Sequence, residues 1–372
     1  MVVGEIIFPR EMCKKMINKL LDIAARGGRL TAEELKELYM NAPLASLGAA
    51  ADSAKRLHSG DRVFYNRNFH LEPTNICRYR CHFCSYRRDV GDPEAWDYTR
   101  DQMVEQVKAR AKSGATEVHI VGGVHPDHSL DFYLELIEKI HQIMPQTAIK
   151  AFTAIELAYM IKSSGLDIES GLRKLIDAGM MAIPGGGAEI FNDEIRRKIC
   201  GEKGSAEEWL EVHRTAHKLG LKTNATILYG HIESIDDRID HLLKLRELQD
   251  ETGGFSAFIP LKYRSRHNSM AEIGEVSIVE DMKMMAISRL ALDNFPHIKA
   301  YWPMFGKTTA EIALGFGADD VDGTIDDSTK IYSMAGAEDQ KPVITIAEIE
   351  QMAAAHGYKA VERDTFYNEL TK

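Results

Sequence analysis

From about residue 62 onward the chain alternates short β-branched runs with amphipathic helical stretches, and this alternation limits the possible folds more than any other feature. Residues 63–71 read as a first strand, which delivers the chain into a cysteine-rich loop. Thr99-Arg100-Asp101-Gln102 is a capping box that opens a helix with Met103, Val104, Val107 and Ala111 on one face and Gly114 at its end. A strand over 117–121 follows. A helix from Ser129, with Leu130, Tyr133, Leu134, Ile137 and Ile140 inward, stops at Pro145 and gives way to a strand over 148–152. Further strands are expected near 180–183, 222–228, 254–259, 298–301 and 318–321. One intervening helix is capped by Ser205 and Glu208, carries Trp209, Val212, Ala216 and Leu219, and ends at Gly220. Eight strands in alternation predict an α/β fold, a (βα)8 TIM-like barrel or a partial form of it. In such barrels the reactive groups lie at the C-terminal ends of the strands, where the βα loops converge.

Residues 1–61 are expected to form an N-terminal helical extension, with Met12, Met16, Leu20, Leu21 and Ile23 as an apolar stripe and Thr31-Ala32-Glu33-Glu34 as a second capping box. The barrel then spans 62–340. Residues 341–372, with Ile344, Ile346, Ile349 and Met352 at helical spacing, form a C-terminal helical cap. A chain of 372 residues that is 44% hydrophobic and 27% charged can bury a core of this size. Its net charge of -10 argues against nucleic acid as a partner, because phosphate neutralisation needs a basic surface. No apolar run approaches the roughly 20 residues that span a bilayer. The start Met1-Val2-Val3-Gly4-Glu5 lacks the basic and apolar regions of a signal peptide, so a cytoplasmic location without membrane contact is expected.

Three of the five cysteines fall in Cys77-Arg78-Tyr79-Arg80-Cys81-His82-Phe83-Cys84, a C-x3-C-x2-C spacing. Three thiolates on one loop can hold a [4Fe–4S] cluster and leave one iron without a protein ligand, open to a substrate or cofactor. Structural zinc is the competing reading, but it wants four closed ligands, there is no second C-x2-C, and His82 lies between two cysteines where it cannot easily turn inward with both. A disulfide framework belongs to smaller secreted chains with more pairs. Thiols clustered this way suit a reducing compartment. Cys13 and Cys200 read as ordinary buried or spectator thiols.

Other strand ends supply further candidates. Gly122-Gly123-Val124-His125-Pro126 and Pro184-Gly185-Gly186-Gly187-Ala188-Glu189 could let backbone approach a ligand closely, the bland reading being a tight βα turn. His70-Leu71-Glu72 puts an imidazole and a carboxylate at i and i+2, on one face of a strand. Asn75 could fix the cysteine loop by hydrogen bonds. The segment Thr226-Ile227-Leu228-Tyr229-Gly230-His231-Ile232-Glu233 gathers a hydroxyl, a phenol, an imidazole and a carboxylate. Lys262, Arg264 and Arg266 follow the sixth strand, either as a solvated basic loop or as carboxylate binders.

The cysteine loop, with Phe83 in the aromatic slot, resembles the radical S-adenosylmethionine (SAM) superfamily. The segments His70-Leu71-Glu72-Pro73-Thr74-Asn75-Ile76-Cys77, Cys81-His82-Phe83-Cys84-Ser85-Tyr86, His119-Ile120-Val121-Gly122-Gly123-Val124-His125-Pro126, Leu228-Tyr229-Gly230-His231-Ile232-Glu233 and Met334-Ala335-Gly336-Ala337 are similar to the aminofutalosine synthase family of menaquinone biosynthesis. That family differs from two relatives on the same scaffold, the dehypoxanthine futalosine cyclases and the deazaflavin synthase subunits, in the residues around the cysteines. Here Glu72-Pro73-Thr74-Asn75 and Ser85-Tyr86 favour the synthase.

The resemblance implies a [4Fe–4S] cluster on Cys77, Cys81 and Cys84, with SAM as a consumed cosubstrate near Phe83, Gly122, Gly123, Glu189 and Thr226. Where the superfamily usually has Gly-Gly-Glu, this chain has Val124, so contact there falls to the main chain. The implied reaction adds the 5′-deoxyadenosyl radical to 3-[(1-carboxyvinyl)oxy]benzoate and leads, after rearrangement and decarboxylation, to 6-amino-6-deoxyfutalosine and methionine. His70, Glu72 and His231 are the expected catalytic groups, and Asn75, Tyr229 and Arg266 the expected substrate contacts. A reductant such as flavodoxin or ferredoxin is implied as partner. The alternatives are a cyclase-like radical SAM enzyme and, in a different class, an Fe–S electron-transfer or sensor protein.

Overall fold

The computed structural model describes residues 10–370, so the start of the chain read above lies outside the described residues. Helices Arg10–Ala25, Ala32–Asn41 and Leu44–Ser59 come first, the second opened by the Thr31–Glu34 capping box. Ten strands follow: β1 (Arg62–Asn66), β2 (Asn68–Leu71), β3 (Glu117–Ile120), β4 (Ala148–Ala151), β5 (Ala182–Ile183), β6 (Lys222–Tyr229), β7 (Phe255–Lys262), β8 (His297–Ile298), β9 (Asp320–Gly323) and β10 (Lys359–Glu362). Strands β2 to β8 form one parallel sheet in sequence order. Parallel neighbours need crossovers, here mostly helical and including those opened by Thr99, Ser129 and Ser205 as expected. The seven strands curl into an open half-barrel, a partial TIM-like fold.

Two departures from a closed eight-strand barrel share one cause. The expected first strand is broken at Arg67, whose carbonyl accepts the N–H of Thr116 at 2.7 Å and whose Nε donates to Glu362 at 2.6 Å. Before that break, β1 belongs to a second parallel sheet of order β10-β1-β9. The expected eighth strand near 318–321 is β9, and it joins this small sheet; its link to the strand-eight region is a single bridge between Lys299 and Asp320. Polar Asn66, Arg67 and Asn68 interrupt the apolar run, and Asn68 turns to Asp322 (3.2 Å) and the Ile325 N–H (3.0 Å). The C-terminal segment, expected as a helical cap, contributes helix Ile346–Ala355 and also β10, paired to β1 from Arg62↔Lys359 to Tyr65↔Glu362.

The pleat sorts the strand side chains. Val118, Ile120, Ile149, Ala151, Ala225 and Ile227 are fully buried under the helices. Their neighbours His119, Lys150, Asn224 and Thr226 face the half-barrel interior and line its cavity. The register rows His70↔His119↔Lys150 place three polar side chains side by side on that face. Among the described residues no helix is long and apolar enough to cross a membrane.

Candidate active site

The three clustered cysteines sit on the loop that leaves β2, and neighbouring segments hold this loop in shape. Arg78 N donates to the Val124 carbonyl (2.9 Å), His82 N to that of Ile199 (2.8 Å), and Arg88 N to that of Asn75 (2.8 Å). Gly122 and Gly123 are needed for this packing: a Cβ would come within 2.8 Å of the Thr74 carbonyl at the first and 2.3 Å of the Ile76 carbonyl at the second. Their N–H groups are also engaged, with Glu156 (3.0 Å) and the Thr74 carbonyl (2.7 Å). Contact between these glycines and a ligand therefore falls to their carbonyls.

The thiols fit a cluster by their chemistry. Burial pushes the Cys77 and Cys84 thiols up, and each is raised further by neighbouring thiols of the triplet. Cys81 is raised first by a hydrogen bond with Cys200 and then by burial. Clustered, buried thiols resist becoming thiolates together unless a cation compensates them, and bound iron does so. Cys200 is a buried thiol, as expected. It lies at the end of helix Asp193–Cys200, against Cys81, and sequence spacing carried no sign of this neighbour.

From Cys84 a cavity of about 300 Å³ runs into the half-barrel. Phe83, Gly122, Gly185 to Gly187, Glu189 and Thr226 are part of its lining. Glu189 adopts a left-handed backbone (φ 48°) and holds Lys203 at 2.5 Å, while the Thr226 hydroxyl donates to the Gly185 carbonyl at 2.7 Å. Val121, Leu228, Ile259, Leu261 and Ile331 give it apolar surface, and His70, His119, Lys150, Asn224, Lys299 and Asp322 give it polar surface. The His70 ring stacks on His119 at 4.5 Å with an interplanar angle of 3°. Both His70 ring nitrogens are buried without a hydrogen-bond partner among the described residues, and burial lowers its pKa to about 4, so the ring is neutral.

Several expected site residues point elsewhere. Tyr229 lies on the opposite face of β6 from Thr226 and Leu228, and its hydroxyl donates to Asp281 at 2.8 Å beneath the helices. Asn75 is consumed by the 94–96 segment, its Nδ2 donating to the Glu94 carbonyl (3.0 Å) and its Oδ1 accepting from Trp96 N (2.8 Å). It fixes the loop and does not reach the cavity. His231 is held between the Leu228 carbonyl (3.0 Å) and Glu233 (3.1 Å). Arg266 packs its stem under the Gly336 turn, and Arg264 lines the cavity instead. His125 faces Asp97 at 3.5 Å, outside the cavity.

Glu72 also turns away, to the 328–337 segment that covers the cavity with Ile331, Tyr332 and Ala335. Its Oε1 accepts from the Thr329 hydroxyl at 2.7 Å and from Lys330 N at 3.0 Å. Burial pushes its pKa from 4.5 up to about 7 against these hydrogen bonds. A carboxyl raised on folding favours the protonated native state, so its contribution is full below about pH 4.5 and is lost as pH rises towards 7. Glu72→Gln keeps the acceptor and removes the titration. The thermal midpoint of the parent protein is expected to fall relative to this variant between pH 4.5 and 7, and parallel profiles would contradict the assignment.

The model of the radical SAM superfamily matches residues 71–245, and that of the CofH/MqnC C-terminal region matches residues 252–371. Aminodeoxyfutalosine synthase of Thermus thermophilus is 40% identical, covering 95% of this chain and 96% of that protein. The protein of the same name from Streptomyces coelicolor is 39% identical, covering 92% and 91%. The solved structure of methylornithine synthase superposes with a TM-score of 0.73 at 18% identity, covering 92% of this chain and 97% of that one, which shows the shared fold. The clustered thiols at the mouth of a partial barrel, the matched models and the near-full-length relatives agree: the chain belongs to the radical SAM superfamily, in the group that carries the CofH/MqnC C-terminal region and includes the aminodeoxyfutalosine synthases.

Proposed function

We propose that the chain is an aminodeoxyfutalosine synthase that joins the 5′-deoxyadenosyl group of SAM to 3-[(1-carboxyvinyl)oxy]benzoate, in the cytoplasm, with electrons from a flavodoxin or ferredoxin. The observation that carries this reading is one cavity lined by Cys84 together with apolar side chains and polar groups. When bound, a [4Fe–4S] cluster on Cys77, Cys81 and Cys84 supplies the electron that cleaves SAM to methionine and a 5′-deoxyadenosyl radical. The carbonyl of Gly122 is suited to accept from the SAM ammonium, and Phe83, Glu189 and Thr226 wall the space for its nucleoside. The apolar surface holds the arene and excludes water, so that the enol-ether carbon meets the radical in place of a stray hydrogen donor. Addition, attack on the arene and migration of the ether link are followed by loss of the acrylate-derived carboxylate as carbon dioxide, or as bicarbonate once water adds; the electron first spent on SAM is given back at this step, so 6-amino-6-deoxyfutalosine forms without net oxidation.

His70 is the proposed proton-handling group, because its ring is neutral and neither nitrogen has a hydrogen-bond partner among the described residues. His70→Ala is expected to lower product formation on the order of 100-fold at unchanged iron content, and unchanged turnover would remove it from the mechanism. The function itself is tested by mass spectrometry of an anaerobic reaction of reconstituted, reduced protein with SAM and the enol ether. A product holding both the adenosyl and benzoate portions supports the synthase. Only 5′-deoxyadenosine and methionine would retain the radical SAM chemistry and point to the cyclase substrate.

A further inference from the structure

Four cations line the cavity, and three of them are already committed. Lys150 Nζ lies 2.6 Å from Glu117, Lys262 Nζ 2.9 Å from Asp281, and Lys299 Nζ 2.5 Å from Asp322, all of them buried carboxylates. A buried pair at such distances has little charge left for a ligand. Arg264 differs. Its nearest carboxylate, Glu275, is 3.3 Å from Nη1, is 26% exposed, and also accepts the Ser265 N–H at 3.1 Å. Nη2 donates to the Gly336 carbonyl at 3.0 Å. Nε is buried and has no acceptor among the described residues. A guanidinium carries five donors in a planar fork that matches a carboxylate, and a buried donor without an acceptor is costly until one arrives.

We propose that Arg264 is the anchor for the arene carboxylate of the substrate. This rests on the synthase reading above and adds to it which cation receives the substrate and by which end. The benzoate carboxylate persists from substrate to product, whereas the acrylate-derived one departs. A tight fork on the departing group would hold the ground state and hinder its release, while a fork on the persistent group orients the ring at no such cost. Leu261, Tyr263 and Tyr332 line the cavity with Arg264, and they offer apolar and aromatic surface for a ring whose carboxylate reaches the guanidinium. Arg266 has a supporting part: Gly336 sits in a left-handed turn (φ 86°), and a Cβ there would meet the Arg266 side chain at 2.3 Å. Arg266 thus underpins the turn whose carbonyl orients Arg264.

The test compares the reconstituted parent enzyme with Arg264→Gln and Arg264→Lys on two compounds, the full enol ether and its analogue without the ring carboxylate. In the parent, the analogue is expected to lose on the order of 100-fold in kcat/KM. Arg264→Gln should lose a similar factor on the full substrate and almost nothing further on the analogue, and Arg264→Lys should recover only part. SAM-dependent changes in the electron paramagnetic resonance of the reduced cluster should be the same in all three proteins. Loss of that response in Arg264→Gln would assign the residue to SAM and overturn the proposal, as would equal discrimination between the two compounds by parent and variant. Calorimetry with 3-methoxybenzoate and 3-methoxybenzamide needs no turnover and separates the two readings. A parent preference for the benzoate that disappears in Arg264→Gln supports the anchor even if no adenosylated product forms. No parent preference overturns the anchor even if it does.

Discussion

Alanine at Cys77, Cys81 or Cys84 is expected to eliminate both the cluster and product formation. Two remaining thiols cannot hold a [4Fe–4S] centre with a single open iron, because a second iron would also lose its protein ligand. The immediate neighbours of Cys84 offer no substitute: Phe83 and Ser85 flank it, and His82 is tied to Ser269, with Nδ1 at 2.9 Å from its hydroxyl. Iron content, the broad visible absorption of the cluster and SAM cleavage should fall together in each variant, with turnover reduced on the order of 1,000-fold or more if the radical step is rate-determining. Cys200→Ala provides the contrast. Its thiol contacts Cys81 but is not in the triplet, so this variant should keep its iron. If Cys200→Ala lost iron to the same degree, the set of ligands would include a fourth sulfur, and the open corner required for SAM would be lost with it.

Lys299→Met is expected to destabilise the protein by about 3–5 kcal/mol, the usual result of leaving one buried charge without its partner. Lys299 is buried, 2.5 Å from Asp322 and 3.8 Å from Asp320. Burial by itself would raise the Asp322 carboxyl, but the Lys299 ammonium outweighs it, with help from Arg363 and Lys150, and holds it well below the usual range. The network extends through Arg363 to Asp320 (2.6 Å) and through Thr365 and Lys150 to Glu117 (2.7 and 2.6 Å). It joins β3, β4, β9 and the chain after β10, the place where an eighth strand would close a complete barrel. Ion pairs hold together there what a β-ladder does not. Asp322→Asn in the Lys299→Met background should restore much of the loss, because asparagine tolerates the left-handed backbone (φ 73°) and brings no charge. Thermal unfolding midpoints of the parent, single and double variants check this, and a loss below about 1 kcal/mol for Lys299→Met would contradict it.

The βα alternation and the cluster loop were legible because both are written in local order. Apolar period and capping residues such as Thr99, Ser129 and Ser205 mark the helices, and the spacing of Cys77, Cys81 and Cys84 places three thiols together regardless of what surrounds them. The pleat could have refined the site further. Thr226 and Tyr229 are three apart on β6, so they cannot share its face, and once Thr226 faces the cavity Tyr229 must face the helices. The same rule points to Asn224, which lines the cavity and was not anticipated.

What no period or motif encodes is the partner a side chain finds far along the chain. Glu72 meets Thr329, Cys81 meets Cys200, Arg266 lies under Gly336, and Lys299 is paired with Asp322. His70 and Glu72 stand two residues apart, yet β2 ends at Leu71, and beyond it the backbone is free to turn Glu72 towards the covering segment. The choice between Arg264 and Arg266 likewise depends on where the Gly336 turn lies across the mouth. By itself the sequence determined the βα alternation and the donor set for iron, since both depend on contacts within a few residues. Only the tertiary structure decided which polar groups face the cavity and that the barrel stays open, because burial and pairing between distant segments set the direction of each side chain.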